Sequence, residues 1–338
     1  METLYVVEQG AYLKKDGDSL KIVKQNVIID TIPAQGLQKL LLSGYVSLTG
    51  SVMNFLIKNR IETVFVTPTG RFRARLMIDE HKHVALRKAQ YLMLANEQFC
   101  LDTMKIIVRG KLETMVAFLL KRAKNYGDEP MRIAAAGLKS LCKNLDSKLS
   151  KDAIRGIEGA GARIYFSMFN RLIRNDLFQF NGRNRRPPKD PVNALLSFVY
   201  TLLTNEVISA IKISGLDPYM GSLHEISYGR PSLACDLVEE YRCDLGDRLV
   251  LSLINRKMVG PDDFVYKKGS NLNFIDEKEM KDSRPVEMKP YLLKAFIASY
   301  EGMMTGSNDY RTLIRNQVRG FADYLKEPVE KSYRPSQF

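Results

Sequence analysis

His224 is one of only three histidines in 338 residues, and it stands in a loop, GSLHEISYGRPS, punctuated by glycine and proline. Just beyond it, ACDLVEEYR supplies Asp236, Glu239 and Glu240. If a helix starts at Pro231 and Ser232, the three carboxylates fall within about a third of its circumference, while Leu233, Leu237 and Tyr241 face elsewhere. Carboxylates so close repel one another unless a divalent ion lies between them. A further acid lies upstream. In LSKDAIRGIEGAGARIYFSMF, Ser150 is placed to cap a helix on which Ile154, Glu158, Gly161, Ala162 and Tyr165 share a face. An ionised carboxylate on an apolar stripe is costly unless paired or metal-bound, so Glu158 requires a cation. That cation can be an arginine, and the His224 loop can be an ordinary loop leading into a solvated helix. Taken as one site, two acids and an imidazole with water completing the shell suit Mg2+ or Mn2+ better than zinc, because hard oxygen donors dominate.

A basic loop, NGRNRRPPKDP, adds Arg183, Arg185, Arg186 and Lys189 ahead of another helix. Guanidinium forks match phosphate oxygens, and Asp190 is the only acid in the immediate neighbourhood. Over the whole chain, 51 Lys and Arg against 38 Asp and Glu leave a net charge of +13, which favours a polyanionic partner such as nucleic acid. A mixed Glu/His/acid site beside such a loop is a layout suited to metal-dependent phosphodiester chemistry. The four cysteines form no CxxC pair and no Cys/His zinc spacing, which excludes a zinc ribbon and predicts reduced thiols in a cytoplasmic protein. Glu2 and Glu8 interrupt any signal-like opening, and no apolar run approaches the roughly 20 residues of a membrane span, so no membrane is expected.

The elements that must position these groups divide by period. Over residues 1–77, LYVVE, AYLKK, LKIVK, NVIID, LQKLLL, ETVFVTP and RFRARLM read as short strands with one helix at 51–59, forming a small sandwich of hairpins. Residues 78–94, including IDEHKHVALRKAQ, read as a polar linker in which His81 and His83 are solvated. From 95 to 338 the period is helical. In LDTMKIIVRGKLETMVAFLLKRAKN the apolar residues 101, 104, 108, 115, 118 and 119 keep to one side, while Lys105, Arg109, Lys111, Lys121 and Lys124 fall largely elsewhere. Further helices are expected at 151–174, 191–213 and 232–256, and Gly159 to Ala162 let another element approach closely. The predicted fold class is α+β, a small N-terminal β-sandwich-like domain followed by a larger all-α catalytic domain.

The runs NGRNRRPPKDPVNALLSFVYTLLTNEV and GLDPYMGSLHEISYGRPSLACDLVEEYR closely resemble the central motif of the CRISPR-associated integrase family, the metal-dependent DNA endonucleases of spacer acquisition. The similarity continues upstream through LDTMKIIVRGKLETMVAFLLKR and IEGAGARIYF. The resemblance implies that Glu158, His224 and Glu239 are catalytic and ligate one Mg2+ or Mn2+, with Asp236 beside them or as an alternative ligand. It implies a homodimer that joins a small partner protein of the CRISPR adaptation complex and holds double-stranded DNA, with Arg183, Arg185 and Arg186 positioning phosphates. The implied reaction is attack by the 3′-hydroxyl of a short DNA fragment on a phosphodiester of the CRISPR repeat; water in its place gives hydrolysis. Cys243 stands where the family often has proline, and Ser222 replaces a common aromatic. Two other functions stay open: a metal-dependent nuclease of branched DNA in repair, and a non-catalytic DNA-binding scaffold whose acids form ion pairs.

Overall fold

The structure, a computed structural model, describes residues 3–68, 72–76, 83–184, 187–266 and 286–336. By internal packing the chain divides into two units. One comprises Met1–Glu80, Pro187–Thr201 and Asp262–Tyr300; the other comprises His81–Arg186, Leu202–Pro261 and Glu301–Phe338. This grouping is not linear, unlike the division into 1–77, 78–94 and 95–338 read from the sequence. Two later segments pack with the N-terminal strands, because packing follows contact rather than chain order.

The first unit holds strands β1 (Thr3–Val6), β2 (Tyr12–Asp16), β3 (Ser19–Lys24), β4 (Val27–Pro33), β5 (Lys39–Ser43) and β6 (Ser47–Leu48). Helix α1 (Gly50–Lys58) and strands β7 (Glu62–Val66) and β8 (Phe72–Leu76) follow. Two four-stranded sheets result, in the orders β1-β5-β7-β8 and β4-β3-β2-β6. Alternation builds the core: Leu20 and Ile22 of β3 turn inward with Leu4, Val6, Leu13, Leu40 and Leu42, and α1 adds Val52 and Leu56. The expected hairpins are present in β2-β3-β4. The other sheet departs from that expectation, since β1, β5 and β7 run parallel. Each of those pairs is separated in the chain by intervening elements, which supply the crossover a parallel pair needs.

The second unit is helical. Helix α2 (Val84–Ala95) occupies most of the stretch expected to be a polar linker. His83, at φ 63°, precedes it and is exposed, whereas His81 lies outside the described residues. The helix escapes a periodicity search because Gln90 interrupts its apolar stripe between Leu86 and Leu94. Gln90 is nonetheless buried, and its amide donates to the carbonyl oxygens of Asp217 (2.8 Å) and Met220 (2.9 Å). After it come α3 (Glu97–Tyr126), α4 (Glu129–Asn144), α5 (Lys151–Ser167) and the short α6 (Phe169–Leu172). Ser150 caps α5 by accepting from the Ala153 amide at 3.3 Å. A Cβ at Gly161 would overlap Leu112 of α3, so this glycine lets α5 lie close against α3.

Helix α7 (Pro191–Ile213) is 23 residues long and apolar enough to cross a membrane by length and composition, contrary to the expectation from the sequence. It is mostly buried within the protein, as suits a helix apolar on most of its circumference. The segment expected as one helix over 232–256 is α8 (Ser232–Leu237), α9 (Glu239–Tyr241), a π-helical turn (Arg242–Asp247) and α10 (Arg248–Asn255). A β9 (Phe264–Tyr266) and β10 (Val286–Met288) ribbon and α11 (Pro290–Met304) as far as Tyr300 belong to the first unit, and α12 (Tyr310–Lys326) belongs to the second.

Candidate active site

Asp236 of α8 is fully buried and organises the His224 loop. Its Oδ2 accepts from the amides of Ser222 (2.6 Å) and Leu223 (2.9 Å), and its Oδ1 accepts from the amide of His224 (2.9 Å). The loop can close this tightly because residue 221 is glycine. A Cβ there would stand 2.7 Å from Asp236 Oδ2 and from the backbone of Ser232 and Leu233. Asp236 Oδ1 also meets His224 Nδ1 at 2.8 Å. A carboxylate only accepts, so Nδ1 carries the hydrogen, and Nε2 is the ring nitrogen left facing Glu239. Nε2 lies 4.0 Å from Glu239 Oε1.

Glu239, at the start of α9, is 2% exposed and is paired with Arg242 at 2.6 Å and with Lys111 of α3 at 2.7 Å. Burial pushes its carboxyl up, but Arg242, Lys111 and His224 outweigh burial and hold it at about 2. Glu239 is lowered rather than raised, because cations rather than a second anion dominate its surroundings. The same Lys111 ammonium also pairs with Glu158 of α5. Lys111 was expected away from the apolar side of its helix; it is buried, and two carboxylates make that burial tolerable. Glu158 and His224 keep side-chain exposures of 27% and 22%, so the cluster opens to solvent on their side.

Neighbouring groups lock the parts together. Arg155, one turn before Glu158, donates to the Leu223 carbonyl at 3.0 Å and to Glu225 at 2.8 Å, clasping α5 to the loop. On the far side of Glu158, Tyr165 donates to Asp247 at 2.8 Å and accepts from the Cys243 thiol at 3.3 Å, joining α5 to the π-helical turn. Glu240 does not join the cluster, contrary to its expected place on one face with Asp236 and Glu239. Its carboxylate accepts from the Tyr333 hydroxyl and from the Ser336 amide, the latter at 3.0 Å. Burial raises its carboxyl to about 7, with those two hydrogen bonds opposing the rise.

Comparison with known proteins supplies the family. The family model described as CRISPR associated protein Cas1 matches residues 4–282. The chain belongs to the Cas1 family. A CRISPR-associated endonuclease Cas1 of Chlorobaculum tepidum is 35% identical over 307 residues, spanning 89% of this chain and 85% of that protein. A solved Cas1 structure from Thermotoga maritima superposes with a TM-score of 0.82 at 25% identity and covers 100% of both chains. A casposase bound to its integration product shares the fold, with a TM-score of 0.79 at 22% identity over 98% of this chain and 92% of that one.

Within this Cas1 fold, both departures from the family motif have local partners. Ser222 donates from its amide, and at 3.3 Å from its hydroxyl, to Asp236, while Cys243 packs on Tyr165. Arg183 donates to the Asn184 carbonyl at 2.5 Å; Arg185 and Arg186 lie outside the described residues. Among the described residues no three His, Cys, Asp or Glu side chains are gathered closely enough to hold an ion as they stand. Lys111 takes that central position. The donor set still fits a hard divalent cation: two carboxylates already bridged by one positive charge, and an imidazole oriented through its other nitrogen. Lys111, Arg155 and Arg242 are the participants that sequence patterns missed. The nearest signal was Lys111 standing one helical turn from the apolar Ile107 and Met115 in KIIVRGKLETMV.

Proposed function

We propose that this Cas1-family chain is a CRISPR-associated endonuclease and integrase that inserts short DNA fragments into the repeat array by phosphoryl transfer dependent on Mg2+ or Mn2+. The observation that carries the reading is the meeting of Glu158 and Glu239 on one ammonium, with an Asp236-oriented His224 4.0 Å from Glu239. Glu158, Glu239 and His224 Nε2 would hold the ion, and a bound ion supplies polarisation of the scissile phosphate. Asp236 has both oxygens engaged by the loop, which favours a positioning role over ligation. Arg183, Arg185 and Arg186 would hold phosphates of double-stranded DNA, which the net charge of +13 attracts. In the reaction the fragment's 3′-oxygen forms a bond to a repeat phosphorus and the repeat's own 3′-oxygen leaves; with water as nucleophile the same exchange is hydrolysis.

A homodimer, a small partner protein of the adaptation complex and a cytoplasmic location complete the proposal. All four cysteines are free thiols, in keeping with reducing surroundings. The test supplies purified protein, with and without the partner, a repeat-bearing plasmid, Mn2+, and fragments with or without a free 3′-hydroxyl. Joined product is expected only with the hydroxyl, and none in chelator. Cleavage of branched DNA without joining would replace this reading with the repair nuclease, and neither cleavage nor joining would leave the scaffold.

A further inference from the structure

Lys111 is not needed as a ligand, yet it holds the centre of the proposed site. Its side chain is 7% exposed, and its ammonium pairs with both Glu158 and Glu239. Arg242 already neutralises Glu239 from the other side, so Glu239 carries two cationic partners while Glu158 has Lys111. A divalent ion drawn to the same two carboxylates meets an ammonium where its own charge has to sit. At separations of a few ångströms and low solvent exposure, two such cations repel strongly.

We propose that Lys111 is a built-in counter-ion that competes with the divalent ion for Glu158 and Glu239. Without an ion, the ammonium holds the two acids in register across α3, α5 and α9 and prevents their mutual repulsion from opening the site. When an ion enters between Glu158, Glu239 and His224, the ammonium is displaced. Ion affinity is then the difference between two cations' claims on the same oxygens, weaker than the three donors alone would give. This rests on the assignment of those three residues as ligands.

The first experiment titrates Mn2+, by calorimetry or by the loss of its free-ion electron paramagnetic resonance signal, into wild type, Lys111→Met and His224→Ala. Methionine keeps the apolar stem and removes the charge. Lys111→Met is expected to bind Mn2+ about tenfold more tightly than wild type. His224→Ala is expected to bind more weakly. Unchanged or weaker binding by Lys111→Met, with His224→Ala still impaired, overturns the competition. Unchanged binding by His224→Ala instead overturns the ligand assignment on which it rests. A second measurement uses the wild-type fold and so does not depend on the variant folding: brief acylation by acetic anhydride, with modification of Lys111 quantified by peptide mass spectrometry. Labelling is expected to rise on adding Mg2+ in wild type and to stay level in His224→Ala. Equal labelling with and without Mg2+ in wild type means that the ammonium stays in place, and the proposal fails.

Discussion

Asp236 is a fully buried carboxylate at the foot of the His224 loop. Four hydrogen bonds from a three-residue stretch of backbone and the His224 ring end on its two oxygens. Asp236→Asn keeps the volume but turns an NH2 group toward N–H donors. It is expected to lose about 1–3 kcal/mol of stability by denaturant unfolding, and to weaken Mn2+ binding by about 10–100-fold as the ring loses its fixed orientation. An asparagine variant with wild-type Mn2+ affinity would detach the imidazole's aim from Asp236. The adjacent pair Glu239 and Glu240 titrates in opposite senses. Glu239, lowered from 4.5 to about 2, contributes stability that is present above 4.5 and is lost as pH falls toward 2. Glu240, raised from 4.5 to about 7, binds a proton more tightly in the native state, so its contribution falls as pH rises from 4.5 to 7. In chelator, the melting temperature of Glu240→Gln relative to wild type should therefore climb across that interval and level off above it. A flat difference would show that Glu240 ionises freely.

At the scale of elements, α5 carries its own control experiment. A methyl group added at Gly156 would meet open space, whereas one at Gly161 would overlap Leu112 of α3. Gly156→Ala should stabilise by about 0.5–1 kcal/mol through helix propensity alone. Gly161→Ala should instead destabilise, since overpacking costs about 1–3 kcal/mol and exceeds that gain. It should also impair strand transfer, because α5 moved off α3 takes Glu158 away from Glu239 and His224. Parallel denaturant curves and joining assays on the two variants check this, and equal stabilisation by both would mean that the helices do not need their close approach. The π-helical turn works at the same scale. By placing Cys243 and Asp247 against Tyr165, it ties the segment after Glu239 to the helix that bears Glu158.

For the molecule as a whole, the net charge of +13 and the small acidic cluster have separable consequences. DNA binding by the excess Lys and Arg should weaken steeply with salt as counterions are released. Glu158→Gln and Glu239→Gln should therefore lose joining activity while binding DNA at least as tightly as wild type in filter-binding assays. Replacing Arg183, Arg185 and Arg186 together should flatten the log–log salt slope by about one unit for each phosphate that is no longer neutralised. An unchanged slope would make the loop a bystander. Metal removal should leave the protein cooperatively folded, since Lys111 and Arg242 neutralise Glu239 without an ion. Loss of the cooperative transition in chelator would mean that the ion is structural.

The residues that could do chemistry were legible from the sequence because their signals are local: a histidine between glycines and prolines, a glutamate on an apolar stripe, acids at helical spacing, and a long ordered motif. The strand-then-helix order and the Ser150 cap were legible for the same reason. Glu239 and Glu240 show where local signals stop. They are adjacent and chemically identical, yet one meets Lys111 and Arg242 while the other is held by Tyr333 and Ser336, more than ninety residues further along the chain. Nothing within one helical turn distinguishes them, since the difference lies in which distant groups pack there. Lys111 passed for a surface lysine because periodicity reports which side of a helix is apolar and not what charge waits across from it. The parallel order of β1, β5 and β7, and the burial of Gln90 in α2, were likewise set by partners far along the chain. Sequence supplied the carboxylates and the imidazole, and tertiary packing decided which of the acids share the Lys111 ammonium.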